Sequence, residues 1–152
     1  MEAMPIPESS IAQVVTEASK KMHDPKYISS EVDRFIRGQP AISQLVMAAS
    51  AELTVEGVVM VLFHAALLAR SMALATGNAP RLVTARDLEH AGHSTPTVES
   101  LAEDEPHLAS YVASNVEEGS AQESGGAGGR SGQFDAPLAR TLLARVARAL
   151  VG

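Results

Sequence analysis

The run from Val55 to Thr76 constrains this chain more than any other segment. Thr54 suits an N-cap, Glu56 in the first turn suits the positive end of the helix dipole, and Gly77-Asn78 supplies a stop. Within the run, Gly57 to Ala69 is apolar apart from His64, and Arg70 closes it. A helix that is apolar nearly all round has no face suited to water, so other helices must surround it. A membrane span needs about 20 apolar residues. Extending this run backwards meets Glu56 and Glu52, so a buried core helix is expected instead.

The flanking sequence offers the helices to do the surrounding. Ile11, Val14, Val15, Ala18 and Met22 fall on one face, ahead of Pro25 as a stop. Ser29 is the expected cap of a second helix bearing Val32, Phe35 and Ile36 and ending at Gly38. Pro40 fits the first turn of a third, carrying Ile42, Leu45, Val46, Ala49 and Leu53. Thr84 opens a short helix over 85–91, Thr95-Pro96 begins another turn or two, and Asp104-Glu105-Pro106 starts one with Leu108, Tyr111, Val112 and Val116. The expected fold is all-α: a compact helical domain over 8–118 around the central helix at about 55–76.

Residues 119–133 hold six glycines and three serines in fifteen positions, which reads as a flexible linker. Beyond it, 135–151 forms a C-terminal amphipathic helix capped by Asp135, with Pro137 in its first turn. Leu138, Leu142, Val146 and Leu150 follow one another at spacing four, while Arg140, Arg145 and Arg148 take the other side. Charge follows the same division: residues 89–124 carry eight acids and no Lys or Arg, and residues 125–152 carry four Arg against one Asp. A tethered basic helix of this kind can dock on an acidic protein surface, its own or a partner's. Those seven side chains are the expected partner-binding set.

Composition removes several classes of function. With no cysteine, disulfides and thiol chemistry are excluded, as are zinc and iron–sulfur sites that need cysteine. A net charge of −6 lacks the basic footprint of a nucleic-acid binder. Twenty-five alanines, with nine arginines against three lysines, favour helix and suggest a bacterial source. The N-terminus is polar, with Pro5 and Pro7, and unlike a signal peptide, so the expected location is the cytoplasm.

The candidate ligand residues are few. His64, with Met60 one turn away, has the pattern of a proximal haem ligand. Three Phe, two Tyr and no Trp make poor material for a porphyrin pocket, so the expectation is a core histidine hydrogen-bonded to a neighbouring backbone carbonyl, or one at the edge of the buried face, and no cofactor. Glu52 and Glu56, one turn apart, are the one carboxylate pair beside the apolar helix. His90 and His93 are spaced to share a metal on a helix, yet Gly92 should break the helix between them. No phosphate-binding glycine loop and no nucleophile elbow occurs.

The long helix, a short loop and then Leu82 to Ala91 resemble the second half of a histone fold. That resemblance implies a pairing of Arg81 with Asp87 and a role in protein assembly rather than DNA wrapping. The leading expectation is a non-enzymatic interaction or regulatory protein working through helix-mediated contacts. A helical domain binding a small molecule, haem or metal is the alternative.

Overall fold

The computed structural model describes residues 6–21, 23–77, 82–94, 101–103, 105–112 and 136–151. They form α1 (Glu8–Lys21), α2 (Pro25–Gly38), α3 (Pro40–Ala48), α4 (Ser50–Thr76), α5 (Ala85–Ser94), α6 (106–112) and α7 (Ala136–Val151). A single helical turn lies at 101–103, and no strand occurs among the described residues. The expected tether at 119–133, Thr95-Pro96, Val116, and the cap residue Asp135 lie outside them.

The fold is all-α, with α4 as its axis. Helices α1, α2, α3 and α7 all pack on α4, and α5 packs on α7 and α3. Leu62 and Leu68 of α4 meet a core that also takes in Ile42, Leu108, Leu143 and Val112, all essentially without solvent exposure. Each fully buried leucine contributes about 1.5–3 kcal/mol. Without such cover α4 would present its apolar sides to water. By length and composition alone α4 could cross a membrane, and most of that stretch is buried among the other helices here.

Several boundaries differ from the sequence expectation, each for a local reason. Pro25 begins α2 instead of merely ending α1: Asp24 is the cap, accepting from the Lys26 N–H at 2.9 Å, and Pro25 has no amide to leave unpaired. Ser29 therefore sits inside α2. Helix α3 ends at Ala48, short of Leu53. The expected Thr84 cap forms reciprocally: the Asp87 N–H reaches Thr84 Oγ1 at 3.1 Å, and the Thr84 N–H reaches Asp87 Oδ2 at 2.9 Å. Helix α5 also continues through Gly92, where a break was expected. A Cβ at Gly92 would lie 2.8 Å from Arg145 Cζ, so the glycine lets the arginine of α7 lie against the helix backbone.

Between α3 and the long rod of α4 the chain turns a corner at Thr54. This residue adopts φ 69°, ψ 167°, a region almost reserved for glycine. Its hydroxyl accepts from the Gly57 N–H at 3.2 Å, so it caps the rod that follows while Leu53 before it is fully buried. At the far end Gly77 (φ 77°) takes the left-handed cap, its N–H donating to the Ala73 carbonyl. Thr54→Gly relieves about 1–3 kcal/mol of backbone strain. It loses a few tenths of cap energy and roughly 0.5–1 kcal/mol to the freer unfolded chain. The expected net is a gain of about 1 kcal/mol in urea unfolding, whereas Thr54→Ala keeps the strain, loses the cap and costs about 1 kcal/mol. Equal losses from both substitutions would contradict this reading of the corner.

Candidate functional site

His64 points from α4 to α6. Its Nδ1 shares a 2.7 Å hydrogen bond with the Tyr111 hydroxyl, and the rings meet edge-on at 5.6 Å. Phe63 beside it lies 5.9 Å from the Tyr27 ring, so an aromatic line crosses from α2 through α4 to α6. Burial pushes the His64 imidazole down from 6.5 to about 4 and the Tyr111 phenol well above its ordinary range. Both groups are neutral near pH 7, and no carboxylate among the described residues orients the ring. The sequence expectation gave His64 a neighbouring backbone carbonyl as its partner; the structure gives it the Tyr111 hydroxyl, which nothing in the spacing identified.

The pair carries a pH consequence with a definite sign. Between pH 6.5 and about 4 the unfolded chain accepts a proton on His64 that the folded chain refuses. Its contribution is therefore fully present above 6.5 and declines as pH falls through that window, by on the order of 3 kcal/mol. His64→Gln should flatten this part of the stability profile. An unchanged slope in the variant would show that the imidazole is not held neutral.

A second polar cluster, unmarked in the sequence reading, lies between α2 and α4. Glu31 has a side chain only 7% exposed, and its carboxylate takes Arg70 Nη2 at 2.9 and 3.0 Å and Arg34 Nη1 at 3.3 Å. Two guanidiniums thus share one carboxylate. Around them runs a groove of about 290 Å³, floored by Phe35, Ala66, Ala69 and Ala73 and bordered by Gly38 and Gln39. The visible signals were Glu31 and Arg34 three apart and Arg70 as the one cation of the apolar helix. Their convergence across 39 residues of chain had no local trace. Two other polar side chains tie distant segments: Glu105 Oε1 accepts from the Ile6 N–H at 2.8 Å, and Gln39 Oε1 accepts from the Val83 N–H at 2.9 Å.

The seven tail residues are placed on this chain's own core. Leu142, Val146 and Leu150 are buried, while Leu138, Arg140, Arg145 and Arg148 are half-buried. Arg145 Nε donates to the Leu88 carbonyl at 2.7 Å, pinning α7 to α5. An outside partner would reach the leucine face only by displacing the helix. Glu52 and Glu56 are exposed at the α3–α4 corner, and His90 is exposed on α5. Among the described residues no group of three His, Asp or Glu side chains is placed to hold a metal.

That same corner leaves apolar surface uncovered. Val55 is 78% exposed in the first turn of the rod, Val59 is exposed one turn later, and Met47 is exposed near the end of α3. Positions four apart share a helix face, so Val55 and Val59 form a continuous strip beside Glu52 and Glu56. Arg81, required for the histone-like pairing, lies outside the described residues, and Asp87 is engaged in the α5 cap. No protein-family model matches the chain, and no curated protein or solved structure resembles it closely enough to suggest a role.

Proposed function

We propose a non-enzymatic interaction or regulatory protein that acts through a helix face on another protein or on a second copy of itself. The observation carrying this reading is the exposure of Val55 and Val59 on adjacent turns at the start of a rod whose middle, from Val61 to Met72, is largely buried. Isolated surface valines are ordinary; two on adjacent turns, next to a strained corner, make a patch suited to burial by a partner. Glu52 and Glu56 beside it favour a basic rim on the other side. The acidic balance supports a protein partner over nucleic acid, and the alanine-arginine usage supports a bacterial source.

A photo-crosslinking residue placed at Val55, with one at exposed Arg86 as control, tests this in the producing cell. The reading expects a discrete adduct from position 55 alone, lost when Val59→Glu is added. Equal labelling at the two positions, or none at 55, would overturn it.

A further inference from the structure

We propose that the α2–α4 groove is a binding site for a monoanionic amphiphile, specifically a straight-chain alkyl carboxylate of medium length. Charge is the first reason. Arg34 and Arg70 contribute two positive charges and Glu31 one negative, which leaves one net positive charge at the wall of an apolar groove in a chain of net charge −6. A monoanion is neutralised there, while a dianion such as phosphate exceeds what the site offers.

Unused donors are the second reason. Arg70 turns only Nη2 to Glu31, and Arg34 only Nη1. The remaining N–H groups of both guanidiniums have no acceptor among the described residues. Arg34 is 71% exposed and Arg70 35% along their side chains, so an incoming carboxylate can meet both without displacing Glu31. Glu31, buried and shared, holds the two forks in place.

Shape is the third. The groove, about 290 Å³, lies at the small end of ligand pockets, which suits an alkyl chain of medium length. Its alanine floor and the ring of Phe35 supply apolar contact along the tail, and Gly38 leaves open space at the border.

Calorimetric titration of the full chain with decanoate and with decanol, both below aggregation, tests the assignment. The expected result is saturable one-to-one binding of decanoate, with decanol about fivefold weaker because it cannot use the guanidiniums. Arg34→Gln, at an exposed position that leaves Glu31 with Arg70, should remove that preference. A Cβ at Gly38 meets no atom within 4 Å, so Gly38→Leu should be accommodated without lowering the melting temperature, and its larger side chain should weaken decanoate about tenfold, the loss of two or so methylene contacts. Failure of decanoate to saturate would overturn the proposal. So would equal affinity for the alcohol, or wild-type affinity in a folded Gly38→Leu protein.

Discussion

Leu143→Ala should cost about 3–4 kcal/mol, a large share of the roughly 5–15 kcal/mol that holds a domain of this size together. Leu143 is wholly buried at the centre of α7, among side chains that cover α4. Its loss removes the transfer energy of the deleted carbons and leaves a void that rigid neighbouring helices cannot fill. The whole fold should feel it, because α7 packs along α4 and covers one side of it. Urea unfolding followed by helix content should show one transition, shifted to lower denaturant with its slope unchanged. Arg140→Ala, on the same helix but half-buried, should change stability by less than about 1 kcal/mol. If both substitutions were equally mild, α7 would be a detachable arm rather than part of the core.

Arg70→Met should cost about 2–3 kcal/mol. The variant leaves the buried Glu31 carboxylate with Arg34 alone, at 3.3 Å and from a largely exposed side chain. Removing one partner of a buried pair costs about 3–5 kcal/mol, and the partial exposure of Arg70 lowers that figure. The penalty belongs to the orphaned charge, so the double variant Glu31→Met with Arg70→Met should recover most of the loss. Thermal or urea unfolding of the single and double variants decides it. A double variant as unstable as the single would place the loss in the packing of the arginine stem instead.

How far the sequence carried can be judged from these same residues. The rod of α4 was legible because its cap chemistry and its apolar run agree: Thr54 accepts from Gly57, and Gly77 closes the other end. Burial of the α7 leucines follows from their spacing, since a short helix needs something to pack against. What spacing could not supply was the surface it packs on. The arginines looked like a charged outer face, whereas Arg145 runs across Gly92 to the Leu88 carbonyl, a contact 57 residues apart in sequence. That same approach explains why Gly92 continues a helix instead of ending it.

The polar tertiary contacts were the least legible. Glu105 stood at an expected helix start with nothing to mark a tertiary partner, yet it is buried and receives the Ile6 amide. Glu31, Arg34 and Arg70 converge only once α2 and α4 are packed together. Tyr111 meets His64 for the same reason, 47 residues away. Periodicity reports which side of a helix is wet. It says nothing of which neighbour lies across the dry side.

Ala136–Val151 packs along α4 as part of one core, rather than riding on it as a separate charged arm. Native-state hydrogen exchange across α7, at low and high salt, tests this most directly. Amides at Leu143, Ala144 and Val146 should exchange only with the global opening that also releases Leu62 and Leu68 of α4, and salt should change neither. Exchange of α7 at a much lower free energy than α4, or protection that fades as salt is raised, would contradict it.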